Sequence, residues 1–286
     1  MATLKQIRAR IRAAKNIQQI TKAMKLVAAA RLKKATDRVL EARPYSEKLK
    51  EVMQSLASGG SLPSHPLMEK RPVRRAALIL LTSDRGLAGA YNTSLLRKSA
   101  DWIKEQPFEV TMLTVGKKGT QFFSKRGYNM THSMSVPSAG ARLEDAIEVA
   151  NLSRGLYESG EVDAVFVCYS KFFSAIRQVP QIVQLLPIEA PVVEGETAKT
   201  GGFEFEPDAA ELLNTLLPRY FQTLVMQSMF ESTASEFGAR MTAMTSATDN
   251  AGKMIQTLTL KANRERQASI TKEILEVVGG AEALKG

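Results

Sequence analysis

The sequence predicts an α/β protein in which long N- and C-terminal helices form an antiparallel coiled coil, with a small Rossmann-like α/β domain between them in the chain. Three observations predict this fold. Residues 2–57 contain no glycine, residues 208–278 contain only two, and short apolar runs alternate with helix-like segments in the middle of the chain. Glycine-poor stretches of this length are typical of long helices, and alternating strands and helices favour a parallel sheet. The predicted segments are 1–58, 59–207 and 208–286.

The first segment carries apolar residues at helical spacing. Its stripe steps by threes and fours through Leu4, Ile7, Ile11, Ala14, Ile17, Ile20, Met24 and Val27. Such a stripe indicates one buried helix face. A helix of this length reaches about 85 Å, too long to lie on a compact domain, so it requires a partner helix. We therefore predict that Ile7, Ile11, Ile20, Met24 and Val27 lie in a coiled-coil seam.

The middle segment alternates apolar runs with helix-like stretches. Strands are predicted at Ala76–Leu81, Phe108–Gly116 and Val162–Ser170, with a further edge strand within Ile176–Ile188. Helices are predicted at Asn92–Glu105, Lys117–Arg126 and Leu143–Glu158. This order is typical of a small, largely parallel α/β domain.

The last segment is predicted to be a second long helix. Asp208 is a suitable N-cap, and Pro218 is expected to kink or restart the helix. The stretch around Gly238 and Ala239 is built mainly of small residues. Small side chains let two helix backbones approach closely, so these two residues are predicted to complete the seam opposite Val27–Ala30.

The positive charge is concentrated at the start of the chain. The net charge is +10, and residues 1–50 hold 14 Lys and Arg against 3 Asp and Glu, whereas the remainder holds 25 against 26. A one-signed surface of this kind indicates an acidic partner, which can be nucleic acid, anionic lipid or acidic protein. Nucleic-acid and lipid surfaces both favour aromatic side chains, and the first aromatic residue is Tyr45. An acidic protein is therefore the favoured partner.

The segment most like an enzyme site is the glycine-containing stretch TSDRGLAGAYN. Its glycines, Gly86 and Gly89, fit neither a dinucleotide-binding fingerprint nor a Walker loop. A tight strand-to-helix turn or partner contact is favoured, and a phosphate site is the alternative. His65 and His132 lie in polar stretches and Cys168 in an apolar strand, so we predict no catalytic residues, cofactor or metal. No apolar run is long enough to span a bilayer.

Four stretches resemble the γ subunits of F-type ATP synthases: IRARIRAAKNIQQITKAMKLVAAARL, TSDRGLAGAYN, ATDNAGKM and RQASITKEILEVVGGA. The resemblance implies a non-catalytic central-stalk rotor that transmits torque between the membrane c-ring and a head of three α and three β subunits. Nucleotides would bind to α and β, and the ε subunit would lie beside the α/β domain. It also implies a peripheral position on the cytoplasmic face of a bacterial plasma membrane. The alternative that the residues leave open is a basic coiled-coil nucleic-acid-binding protein.

The resemblance also assigns contact residues. Positions matching β-subunit contacts are Met24, Lys25, Arg85, Ala88, Arg266, Gln267 and Thr271. Phe205 and Glu206 match the foot near the c-ring and ε. Family members often have an acidic residue where this chain has Lys25, so the contact there differs from the family pattern.

Overall fold

A computed structural model describes residues 3–58, 65–189 and 209–283. Its helices are α1 (Leu4–Ser58), α2 (Tyr91–Glu105), α3 (Lys117–Ser124), α4 (Leu143–Glu158) and α5 (Ala209–Ala283). Its strands are β1 (Arg75–Leu81), β2 (Glu109–Val115), β3 (Met130–Met134), β4 (Ala164–Ser174) and β5 (Arg177–Leu186), and a short 3-10 turn covers Pro66–Met68. The predicted fold class, an α/β sheet domain with long terminal helices, is confirmed.

The chain divides into two compact units. The helical unit consists of Met1–Val27 with Met241–Gly286, and the mixed unit consists of Ala28–Arg240. Both α1 and α5 contribute residues to each unit. This division follows tertiary packing, whereas the three segments predicted from sequence follow composition. Helices α1 and α5 end and begin at Ser58 and Ala209.

In the helical unit, α1 and α5 pair antiparallel. The hydroxyl oxygens of Thr21 and Thr248 lie 2.8 Å apart in a hydrogen bond. A Cβ atom placed on Gly252 would lie 3.1 Å from Nε2 of Gln18. The partner residue number therefore rises along α5 as it falls along α1, which defines an antiparallel pair.

The buried residues of this pair follow a heptad pattern from Ile7 to Thr21 and from Met244 to Ala251. On α1 the buried positions are Ile7, Ala14 and Thr21, each seven residues from the next. On α5 Met244 and Ala251 are seven residues apart, and the next buried residue, Ala262, follows eleven residues later. A seven-residue repeat is the spacing that keeps one helix face against its partner in a left-handed coiled coil. Alanine and threonine in the repeat keep the pair narrow.

The predicted seam residues of α1 differ in their exposure. Ile7 is buried, and Ile11 and Met24 are half-buried. Ile20 and Val27 are more than half exposed, so the prediction that they lie in the seam is wrong. The prediction chose the large apolar residues Ile20 and Val27. Each lies one position before the buried face of α1, which beyond Ala14 consists of smaller or polar side chains.

The described residues of the mixed unit form a five-stranded sheet in the order β3-β2-β1-β4-β5. The first four strands pair parallel, and β5 pairs antiparallel with β4 at the edge. Pro180 lies in β5, where an edge position tolerates its missing N–H. Strand β3 was not predicted, because its sequence MTHSM is short and mostly polar. Pairing with β2 stabilises this strand, although its own sequence does not favour one.

Side chains of β1 alternate between two apolar cores. Ala77, Ile79 and Leu81 face a core that also contains buried residues of α4 and the first part of α5. Leu78 and Leu80 face a second core with buried residues of α2 and α3. The sheet is therefore covered on both faces, as expected for parallel strands.

Residues 231–238 of α5 are all buried, and we call them the buried segment. A helix at a protein surface buries one stripe and exposes the opposite face. Here several elements surround the helix. Ser232 Oγ lies 2.7 Å from Tyr91 Oη, Ser235 Oγ donates to Ser170 O at 2.8 Å, and Phe237 packs with Val39 of α1. The α/β domain therefore holds α5 from several directions at once.

Gly238 and Ala239 do not lie in a helix–helix seam, so this prediction is wrong. A Cβ atom on Gly238 would lie 3.3 Å from the carbonyl oxygen of Ala175, at the turn between β4 and β5. Ala239 packs against the core beneath α2. Small residues permit close approach to any backbone, and their pattern does not reveal which one.

Two predictions concern the start of α5, a kink or restart at Pro218 and an N-cap at Asp208. The helix continues through Pro218 without a restart. The predicted N-cap, Asp208, lies outside the described residues.

Gly238 and Gly252, the two glycines of α5 that contact other side chains or backbone, generate a matched test. Alanine at Gly252 should raise the free energy of unfolding by up to about 1 kcal/mol, because alanine favours helix and only the flexible Gln18 amide must move. Alanine at Gly238 should give no such gain and should lower it by about 1 kcal/mol, because its Cβ would lie 3.3 Å from the carbonyl oxygen of Ala175, whose backbone cannot give way. Urea unfolding of the purified chain, followed by circular dichroism, measures both. Equal tolerance at the two positions would show that the Ala175 contact does not constrain α5.

Candidate functional site

The loop between β1 and α2, residues 82–90, leaves the carboxyl end of the central strand and is held by hydrogen bonds. Ser83 Oγ donates to Arg85 O at 2.6 Å, and Ser83 N donates to Asn92 Oδ1 at 3.0 Å. Leu87 has a φ of 63° and is 64% exposed. A leucine in this left-handed region costs roughly 1–2 kcal/mol. Leu87 therefore exposes an apolar side chain to solvent, and its backbone has a strained, left-handed conformation.

Asp84 and Thr82 tie this loop to the start of α3. Asp84 Oδ1 accepts from Lys117 N at 3.0 Å and from Val136 N at 3.1 Å. Thr82 Oγ1 accepts from Gly119 N at 2.9 Å. Free N–H groups at a helix start are what a phosphate binds. Here the chain's own loop satisfies them.

The crevice at the carboxyl ends of the strands is also filled. Parallel α/β sheets bind ligands in this crevice. The space left between Tyr91, Ser232 and Glu236 is about 10 Å³, roughly enough for one water molecule. A larger cleft of about 270 Å³ lies at the opposite, amino-terminal edge of the sheet, beside Arg75 and Glu109. The small space left in the crevice therefore favours the interpretation of the glycine loop, which leads into α2, as a turn and contact over a phosphate site.

An almost fully buried ion pair joins α5 to the loop. Arg240 Nη1 lies 2.6 Å from Glu236 Oε1. The Nη2 atom of Arg240 lies 3.5 Å from Arg85 O and 3.4 Å from Gly86 O. The guanidinium group therefore bridges the carboxylate on its own helix and two carbonyls of the loop.

Burial controls the titration of groups around this pair. Loss of hydration raises the pKa of Glu236, an effect that the charge of Arg240 opposes in part. The carboxylate of Asp84 raises the pKa of Glu236 further, and Arg31 lowers it. Burial likewise raises the pKa of Tyr91, so its hydroxyl stays protonated beside Ser232. The β1–α2 loop and the adjoining part of α5 are thus held by hydrogen bonds and by the buried Glu236–Arg240 ion pair.

The contact residues predicted by resemblance lie on three elements. Met24 and Lys25 are half-buried on α1. In the loop Arg85 is exposed, but Ala88 is 2% exposed and packs in the core under α2. The predicted positions on α5, all exposed, are Arg266, Gln267 and Thr271. Phe205 and Glu206 lie outside the described residues.

Leu87 is the residue that sequence reasoning missed. It is the exposed apolar side chain next to the buried Ala88. The sequence signal was a large apolar residue in a glycine-containing polar loop, but its left-handed backbone and its exposure are visible only in three dimensions.

The far end of α5 exposes a further apolar surface. Every side chain from residue 266 to 281 is exposed. The large apolar ones are Ile270, Ile274, Leu275, Val277 and Val278. Contiguous exposed apolar residues of this kind are typical of a surface that binds another protein.

Two further properties concern membranes and metals. No helix within the described ranges is long and apolar enough to cross a bilayer. In the same part of the chain, no three His, Cys, Asp or Glu side chains are grouped closely enough to hold a metal ion.

The raised pKa of Glu236 generates a pH prediction. Because the folded chain holds this proton more tightly than the unfolded chain, it binds more protons between the ordinary value of 4.5 and the raised value. Ionised Glu236 therefore costs stability at neutral pH, and acidification through that window should raise its contribution to the free energy of unfolding. We expect the chain to gain stability relative to Glu236→Gln as the pH falls from neutral towards 4.5. Chemical unfolding across this range measures the difference, and a difference that shrinks on acidification would contradict the prediction.

Comparisons with known proteins agree across the whole chain. A family model described as ATP synthase matches residues 3–284. The ATP synthase gamma chain of Desulfitobacterium hafniense is 49% identical over 290 residues, covering 100% of both proteins. That of Brevibacillus brevis is 45% identical over 283 residues, covering 98% of each.

Solved structures show the same fold. A chain of the Tetrahymena thermophila mitochondrial ATP synthase central stalk and c-ring superposes with a TM-score of 0.59 at 25% identity, over 80% of this chain and 99% of that one. A chain of the Euglena gracilis mitochondrial ATP synthase reaches a TM-score of 0.71 at 19% identity, over 98% and 94% of the two chains. With the family model and full-length relatives in agreement, this chain belongs to the ATP synthase gamma chain family.

Proposed function

We propose that this chain is the central-stalk rotor subunit of an F-type ATP synthase. It transmits torque between the membrane c-ring and the catalytic head, which consists of α and β subunits. The observation that carries the proposal is the full-length similarity to bacterial gamma chains. The fold suits the role, because α5 is one continuous helix and the α/β domain surrounds its buried segment. A helix held from several directions turns together with the domain that holds it.

The chain itself would be non-catalytic. The crevice where related sheets bind nucleotides is filled by α5, and the first N–H groups of α3 are already bonded. Nucleotide chemistry would belong to the α and β subunits. The chain would act at the cytoplasmic face of the bacterial inner membrane as a peripheral subunit. Nothing in the fold or the comparisons favours the alternative of a nucleic-acid-binding coiled coil.

The head would contact three regions of the chain. The basic surface of α1 would face acidic β-subunit loops, with Met24 and Lys25 at the contact. The β1–α2 loop would present Arg85 together with Leu87. The exposed end of α5 would contact the head through Arg266, Gln267 and Thr271. Phe205 and Glu206 remain a proposed foot towards ε and the c-ring.

A rotation experiment tests the function and the charge contact together. The chain is assembled with α and β subunits on a surface, and a bead on the α/β domain reports ATP-driven turning. Exposed cations of α1 are reversed to Glu in one variant at Lys15, Lys22, Lys33 and Lys34. The control variant reverses exposed cations of the α/β domain at Arg97, Lys98, Lys104 and Lys125.

We expect rotation with the unmodified chain and with the control. The α1 variant should bind the head at least about tenfold more weakly, because several exposed ion pairs of up to about 1 kcal/mol each become repulsive. Failure of the unmodified chain to turn would refute the rotor role. Equal affinity of the two variants would refute the charge contact alone.

Leu87 allows strain and contact to be separated. Leu87→Gly should raise the free energy of unfolding of the chain by about 1 kcal/mol, because glycine adopts a φ of 63° without strain. Leu87→Ala keeps the strain and should give no such gain. Both remove the exposed side chain, so both should weaken binding to the head. Binding unchanged in both variants would exclude Leu87 from the interface.

A further inference from the structure

The turn between β4 and β5 forms an exposed apolar tip, and we call residues 171–177 the hairpin tip. Ile176 is 83% exposed and Phe173 is 51% exposed. The neighbouring Phe172 instead packs into the core beside α1 and α5. The tip therefore exposes two large apolar side chains, those of Phe173 and Ile176, to solvent.

The hairpin tip is ordered before any partner binds. Arg177 N donates to Ser174 Oγ at 3.1 Å, and Gln178 Nε2 donates to Ala175 O at 2.7 Å. The Ala175 backbone also lies against Gly238 of α5. A surface that is already fixed loses little conformational entropy on binding, as an interface requires.

Positive charge flanks the apolar side chains. Arg177 Cζ lies 4.8 Å and Lys171 Nζ lies 5.6 Å from the centre of the Phe173 ring. Within the described part of the chain, neither cation forms an ion pair with a carboxylate. An apolar centre with two unbalanced cations is complementary to an acidic segment that carries an apolar side chain.

The tip lies beside α5 at the same level as the β1–α2 loop. The tip contacts Gly238, and the loop contacts Arg240. Two residues along a helix are separated by about 3 Å of rise and about 200° of rotation. The tip and the loop therefore contact α5 at neighbouring positions, within one turn of the helix.

We propose that the hairpin tip is a second contact surface for the head, and that it binds an acidic segment of an α or β subunit other than the one facing the β1–α2 loop. The proposal rests on the rotor function proposed above. The two surfaces would engage the head at neighbouring positions along α5, so that the head contacts this part of the chain at two points rather than one.

Site-specific photo-crosslinking in the assembled complex tests this. A benzophenone amino acid replaces Ile176 in one sample and Leu87 in a reference sample, and the complex is irradiated and its adducts are identified by mass spectrometry. We expect Ile176 to crosslink to α or β. The double variant Lys171→Glu with Arg177→Glu should lower that yield about fivefold, whereas Arg97→Glu with Lys98→Glu should not.

The outcomes separate the two proposals. A head adduct at Leu87 with none at Ile176, or with Ile176 joined only to ε or the c-ring, overturns the hairpin contact and leaves the rotor function standing. Absence of head adducts at both positions contradicts the rotor function as well. A head adduct at Ile176 that the charge variants leave unchanged overturns the acidic character of the partner.

Discussion

The complete burial of α5 over residues 231–238 is the constraint on which the rest of the mixed unit depends. This segment is rich in polar residues, and a buried polar group is costly unless it is hydrogen-bonded. Each partner comes from a different element. Ser232 pairs with Tyr91 at the start of α2, Thr233 Oγ1 accepts from Ala141 N before α4, and Ser235 donates to β4. Satisfying these groups fixes the position of each element relative to the helix.

The ion pair at the end of that segment contributes position more than stability. Replacing a buried pair by apolar residues is often neutral or stabilising, whereas removing one partner is costly. The loss of hydration that raises the pKa of Glu236 is the unfavourable contribution to the free energy of this pair. What the pair provides is geometry, since the Arg240 guanidinium also reaches the carbonyls of Arg85 and Gly86. The loop that exposes Leu87 therefore keeps its place against α5.

Hydrophobic periodicity predicts the two long helices, four of the five described strands and the three short helices. It fails where packing depends on small or polar residues. Ile20 and Val27 looked like seam residues, yet Thr21 lies in the seam because its hydroxyl pairs with Thr248. Gly238 looked like a helix contact and meets a hairpin instead. Strand β3 is stabilised by pairing with β2, and the left-handed backbone of Leu87 is visible only in three dimensions, so the sequence predicts neither feature.

The exposed charges and the close-packed residues of this chain would have two different functions, orientation of the head and resistance to mechanical load. Exposed ion pairs contribute about 0–1 kcal/mol each, so the basic surface of α1 can orient the head but cannot by itself resist a large mechanical load. Resistance requires contacts that cannot yield. The Ala175 backbone against Gly238 and the close-packed residues around Phe237 meet that requirement, because native interiors compress little. A rotor of this design would therefore transmit force through the packing around α5, while its cations select and orient the surface on which that force acts.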